Sequence, residues 1–136
     1  MITKRQYFLD KSYPIEHEAN ADWLLAQVNC LLHEAANVGV YDYEIDADTN
    51  SQISGSKNGR GDGGYRLPDS STGVQQSSHK EGKGVDVYDP MNKLDDWITD
   101  DKLAKYGLYR EHPEWTPTWC HLTTRPPKSN RRTFIP

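Results

Sequence analysis

Cysteine is scarce in this chain: Cys30 and Cys120 are the two present in 136 residues. That excludes a disulfide scaffold. One bridge between them stays open, and two buried free thiols are the expected state. No run approaches the roughly 18 apolar residues that a membrane-spanning helix needs, so no membrane span is expected. The opening stretch MITKRQYFLDKSYP has no apolar segment of the secretory type, and the expectation is a protein made in a cytoplasm, wherever it acts. Apolar residues are also few, at 35%. The core must therefore be thin and draw on aromatic side chains: eight Tyr, four Trp and two Phe. A net charge of -4 is too mild to point to a class of partner, and no nucleic-acid partner is expected. Acidic residues are missing from positions 125–136, where Arg125, Lys128, Arg131 and Arg132 fall. This segment is either a solvated, partly extended tail or a contact for an anionic polymer.

The length suits one domain spanning 1–136. Its strongest element is IEHEANADWLLAQVNCLLHEAANVGV. Leu24, Val28, Leu31 and Ala35 recur at three- and four-residue steps, with Leu25 and Leu32 beside them, which predicts an amphipathic helix. Pro14 precedes it and Gly39 follows it. His17 and His33 read as ordinary helix histidines. YDYEIDADTNSQISGSKNGRGDGGYR begins with strand-like alternation (Tyr41, Tyr43, Ile45) and then becomes a polar loop. DADTNSQISGSK opens like a calcium loop but has Ser51 at its sixth position and Lys57 at its twelfth, so the acidic clamp is missing. The tripeptide at Arg60 to Asp62 reads as loop, and residues of about 50–63 are expected to be mobile. NKLDDWITDDKLAKYGLY predicts one or two short helices with Gly107 as a C-cap. YGLYR and TWCHLTT have strand character. Trp119, His121 and Thr123 share one face of the latter, and Cys120, Leu122 and Thr124 the other. The mixture predicts an α+β fold with a small antiparallel sheet flanked by helices.

SSHKEGKGVDVYD carries the chemistry. Gly82 and Gly84 disfavour a helix, and GVDVY reads as a strand with Val85 and Val87 toward the core and Asp86 and Tyr88 on the other side. His79 lies in the turn before it and can fold back beside Asp86. His121 stands on another strand. Two imidazoles and a carboxylate are a set that zinc accepts, with a fourth position left for water. On spacing alone a simple His79–Asp86 turn contact, with His121 unrelated, remains equally open.

SSHKEGKGVD resembles the S-x-H-x-x-G-x-A-x-D signature of the zinc D-Ala-D-Ala carboxypeptidase and L-alanyl-D-glutamate peptidase family, within the superfamily that includes the hedgehog signalling domain. Ser77, His79, Gly82 and Asp86 match, and Gly84 replaces the usual Ala. GGYR is similar to the family's S-G-Y-R turn, and WCHL to its W-x-H strand. The blocks EHPEWTPTWCHLTTRPPKSNRRTFIP and YPIEHEANADWLLAQVNCLL resemble the phage and prophage endolysin-like branch. The likeness covers most of the chain outside roughly 40–62. It implies a hedgehog/DD-peptidase-like fold and Zn2+ held by His79, Asp86 and His121. It further implies hydrolysis of an amide in bacterial peptidoglycan stem peptides, D-Ala-D-Ala or L-Ala-D-Glu, by a lysis enzyme, expected as a monomer, that reaches the cell wall after release. Arg66 takes the position of the family's arginine, suited to a carbonyl oxygen or a substrate carboxylate. Ser77 either bonds to the ligand loop or substrate or caps the turn, and Trp119 joins Arg66 and Ser77 as an expected substrate-binding residue. Many members carry a basic carboxylate three residues before the last histidine, but here Thr118 stands there. Glu111 and Glu114 are the available replacements, with His112 a poorer base, and Glu111 is the expected general base because it follows directly on a strand. Without a base, the competing reading is a zinc-containing binding domain of the same fold that does not cleave.

Overall fold

A computed structural model describes residues 1–55, 62–71 and 76–136. Ser56, Lys57, Arg60 and Gly61, which belong to the calcium-like stretch and the R-G-D tripeptide, lie outside these residues. The described chain is a small α+β fold. Helices α1 (Lys4–Phe8) and α2 (Ile15–Asn37) come first, followed by strand β1 (Gly84–Tyr88), helices α3 (Lys93–Trp97) and α4 (Asp100–Lys105), and strands β2 (Tyr109–Glu111), β3 (Trp119–Thr123) and β4 (Thr133–Phe134). Single 3-10 turns occupy Ser78–Glu81 and Pro113–Trp115.

Helix α2 buries Ala21, Leu24, Leu25, Val28, Leu31, Leu32 and Ala35, the face expected from the three- and four-residue spacing. Its end is set by Gly39 at φ +76°, with Val40 N–H donating back to the Ala35 carbonyl and Gly39 N–H to Ala36. Gly107 ends α4 in the same way, at φ +67°, with Leu108 N–H reaching the Leu103 carbonyl. These side chains join Val85, Val87, Leu94, Leu103, Leu108, Cys120 and Leu122 in one buried cluster. Tyr7, Phe8 and Tyr65 add the aromatic share that the small apolar content requires. Each fully buried Leu or Val contributes about 1.5–3 kcal/mol.

The sheet order is β1-β3-β2-β4. β1 and β2 pair antiparallel to the central β3, but β4 runs parallel to β2. The sheet is therefore mixed and not wholly antiparallel. The basic C-terminal segment is no free tail, since it returns to the sheet as β4. Arg132 is drawn in by stacking over Tyr109, 4.3 Å from the ring centre, and by its Nη1 donating to the Leu108 carbonyl at 3.0 Å.

Two further expectations are corrected. Tyr41–Ile45 forms no strand, because Tyr43 sits at φ +59°, outside extended backbone, and Tyr41 and Tyr43 pack edge to face instead. Of the stretch near 50–63, Ser51, Gln52 and Ile53 are buried and Ile53 bridges to Val87, while 56–61 lie outside the described residues. Cys30 is exposed while Cys120 is buried, and both thiols are free. Position 30 lies beside the buried stripe of α2, not in it. Among the described residues no helix is long and apolar enough to cross a membrane.

Gly82 is required twice over. Its φ is +74°, and a Cβ there would lie 2.5 Å from the His17 carbonyl oxygen of α2. Gly82→Ala is expected to destabilise the fold by about 1–3 kcal/mol, read as a lower midpoint in denaturant unfolding. An unchanged midpoint would mean that the turn does not hold this approach to α2.

Candidate metal centre

Strand register builds the site. Asp86 on β1 stands directly opposite His121 on β3. The Asp86 N–H donates to the Gly63 carbonyl at 2.7 Å, and its carbonyl accepts from Ser54 N–H at 2.8 Å. Both backbone groups thus point away from β3. Asp86 and His121 therefore form a non-hydrogen-bonded antiparallel pair, the kind whose side chains stand closest. On the other side of β3, Tyr109 pairs with Thr123 and Arg110 with Leu122. The next step of that register brings Glu111 beside His121, and Glu111 in turn pairs with Phe134 of β4. One row across the sheet thus carries Asp86, His121, Glu111 and Phe134.

His79 arrives from the 3-10 turn. The Ser77 hydroxyl accepts from the His79 N–H at 3.3 Å, so of its two expected roles the turn cap is the one realised by a bond. Ser78 fills the space above Gly84. A Cβ at Gly84 would collide with the Ser78 hydroxyl and lie 3.2 Å from His121 Cε1, which is why glycine stands there. The Tyr7 hydroxyl donates to the Gly84 carbonyl at 2.8 Å and holds the start of β1 from the core side.

His79, Asp86 and His121 are 3%, 9% and 5% exposed, so the carboxylate is charged in a nearly dry place and must be paired. His79 Nδ1 donates to the Gly64 carbonyl at 2.9 Å, which fixes the tautomer and leaves Nε2 facing inward. Nε2 lies 3.3 Å from Asp86 Oδ1, and His121 Nδ1 lies 2.8 Å from the same oxygen. One donor atom from each residue falls within 4.8 Å of the others, and the group could hold a metal ion. A second-sphere carbonyl already orients His79, as ligand histidines require.

Burial lowers the His79 pKa, against the pull of Asp86. Burial alone would raise the Asp86 carboxyl, but the two imidazoles outweigh it and hold the group below the ordinary carboxylate range. Burial likewise disfavours charge on His121, yet its hydrogen bond to Asp86, helped by Glu111, raises its pKa overall. Arg66 stands behind the carboxylate, with Nη2 3.7 Å from Asp86 Oδ2 and Nε donating to the Asp62 carbonyl at 2.7 Å. It is no ordinary surface arginine.

The triad opens into a cleft of about 580 Å³ that Arg66, Ser77, Glu111 and Trp119 also line, with Phe134, Arg125, Pro126, Pro127 and Lys128. All of the site residues expected from the sequence are thus brought together. Glu111 is half-buried in the cleft, whereas Glu114 is exposed on the Pro113–Trp115 turn and does not line it. His112 spends Nδ1 on the Glu114 N–H. Of the helix histidines, His17 bonds the Tyr65 hydroxyl and His33 is exposed. Sequence reasoning missed the Gly64 carbonyl, Tyr7, Ser78 and Phe134. Only the glycine pair in GGYR hinted at close backbone approach, and nothing local marks Tyr7 or Phe134.

Comparison with known proteins finds no matching family model, no matching curated protein and no matching solved structure.

Metal titration should find about one divalent ion per chain, and His79→Ala or Asp86→Ala should abolish most of it. Binding requires a neutral His121 Nδ1, and the raised pKa means that a proton must leave. Affinity should therefore fall as pH drops through the raised His121 pKa, about tenfold per unit below it. His79, with its lowered pKa, is already neutral there and adds nothing to the slope. Affinity independent of pH across this range would show that His121 is not a ligand.

Proposed function

We propose that the chain is a zinc peptidase of the D-Ala-D-Ala carboxypeptidase and L-alanyl-D-glutamate peptidase family, with the hedgehog/DD-peptidase-like fold, hydrolysing an amide bond of peptidoglycan stem peptides as a phage-type lysis enzyme. The observation that carries this reading is the row Asp86–His121–Glu111. It sets a second carboxylate beside the metal-ligand set, within a cleft that also contains His79 and Arg66. The two-imidazole, one-carboxylate set suits zinc with an open position. A zinc ion there supplies Lewis acidity and lowers the pKa of coordinated water to about 7.

The chain's own residues do the rest. His79, His121 and Asp86 would hold the ion. The Glu111 carboxylate accepts the proton of the attacking water and can pass it to the leaving amine. Glu111 would stand in for the carboxylate missing at Thr118, since β2 brings it beside His121, where members of that family use the residue three before the last histidine. The Arg66 guanidinium offers positive charge to the oxygen on which negative charge develops. Trp119 and Ser77 line the walls that would seat the peptide.

Purified peptidoglycan, digested with the zinc-loaded protein and analysed by mass spectrometry, should yield new amino groups at one type of bond. Glu111→Gln should retain zinc and lose cleavage by a factor of about 100 or more, and Glu114→Gln should remain active. Arg66→Lys should raise the barrier by about 3 kcal/mol. Thr118, at the position of that family's base, favours a second reading, a zinc-containing domain that binds wall fragments without cleaving them. Tight fragment binding with no new amino groups would select it.

A further inference from the structure

The protein carries a net charge of -4, yet its cleft runs the other way. Arg66, Arg125 and Lys128 line it against Asp86 and Glu111. With a divalent ion on the triad the balance becomes strongly positive, and such a cleft selects an anionic ligand. The three cations are not equally available. Arg66 donates Nε to the Asp62 carbonyl and lies beside Asp86, whose charge it offsets. Arg125 Nη1 is bonded to Glu81 Oε2 at 2.9 Å. Lys128 is exposed and has no ion-pair partner among the described residues.

Its backbone is held in place. Pro126 and Pro127 precede it with fixed φ. Asn130 N–H donates to the Pro127 carbonyl at 3.0 Å, which closes a turn with Lys128 at its first central position. The Arg125–Glu81 pair anchors one side of this turn to the segment that carries His79. On the other side, Arg132 is pinned to Tyr109 and Leu108. The twice-anchored turn thus sets the backbone of Lys128 at the cleft wall, and its flexible stem can carry the ammonium to an anion there.

We infer that Lys128 is a specificity-determining residue of this cleft, binding a free carboxylate on the ligand beside the amide that reaches the metal site. The inference rests on the peptidase reading for its choice of ligand. D-Ala-D-Ala and L-Ala-D-Glu stems share this chemistry, a free α-carboxylate on the residue that contributes the amide nitrogen. Lys128 recognises that common group, while Arg66, beside Asp86 and the metal-ligand set, serves the reacting amide.

The test measures binding apart from cleavage. Zinc-loaded Glu111→Gln protein is titrated, by calorimetry, with N-acetyl-Lys-D-Ala-D-Ala and with N-acetyl-L-Ala-γ-D-Glu-Lys. Each is compared with the analogue whose α-carboxylate is a carboxamide. The acid of at least one pair should bind about tenfold or more tighter than its amide, and the pair that discriminates identifies the stem segment. Adding Lys128→Gln should bring acid and amide to the same affinity, with zinc content unchanged, and Lys128→Arg should restore most of the difference. Equal affinity of acid and amide in both pairs, a preference that survives Lys128→Gln, or no binding of any probe would each overturn the inference. Discrimination with no cleavage by the Glu111-bearing protein would sink the peptidase reading and leave Lys128 standing. Cleavage without discrimination would do the opposite.

Discussion

The structure turns on one cross-strand pair, Asp86 against His121. A carboxylate in a nearly dry place is tolerated only with charge or hydrogen bonds around it. Here the strand pairing supplies them. Because Asp86 turns its N–H and carbonyl toward Gly63 and Ser54, its side chain meets His121 across the closer type of antiparallel pair. The 3-10 turn then places His79 at 3.3 Å from the same oxygen. Breaking the register by one residue would put Asp86 into the apolar core and Val85 or Val87 into the cleft.

The same constraint explains the surroundings. Val85, Val87, Cys120 and Leu122 form the reverse face of the two strands and are fully buried. They fix the register that the chemistry on the other face needs. Tyr7 and Gly64 link the site to the first two helices: the Tyr7 carbonyl accepts from Tyr65 N–H, and its hydroxyl reaches Gly84. The long helix therefore acts as a base plate, through His17 against Gly82 and Asn20 bonded to the Glu81 carbonyl. Away from the cleft, Asp95 is buried with Arg110, Thr116 and Ile98 around it, and this polar knot joins α3 to β2. Its members are mutually satisfied, which is what a structural role demands.

The cleft is asymmetric. One side is the row of Asp86, His121 and Glu111, ending in the Phe134 ring 6.4 Å from His121. The other is the proline-stiffened turn with Arg125 and Lys128. Of the basic residues at 125–132, which in the sequence read either as a loose tail or as a contact surface, Arg132 packs on Tyr109 of the sheet and Arg125 pairs with Glu81, while Lys128 and Arg131 are exposed. Two of them stand at the mouth of the site.

For His79, Asp86 and His121 spacing left a simple turn contact equally open, and only a family resemblance marked them as one set; the helix face of α2, the two glycine caps and the in–out alternation of β1 and β3 the sequence determined alone. Each is written in a local period or in a residue whose backbone or side-chain chemistry has few substitutes. Tertiary structure alone decided the rest. That Asp86 faces His121 and not a neighbour two residues away depends on pairing between segments 35 residues apart. Glu111 reaches the site, and Glu114 does not, because β2 pairs with β3 in one register only. Residues 41–45 alternate like a strand yet pair with no strand among the described residues, and β4 joins parallel to β2, with Arg132 against Tyr109 and the Leu108 carbonyl. Pairing partners, registers and the direction of a returning segment are long-range choices, set by which surfaces bury each other, and no local period records them.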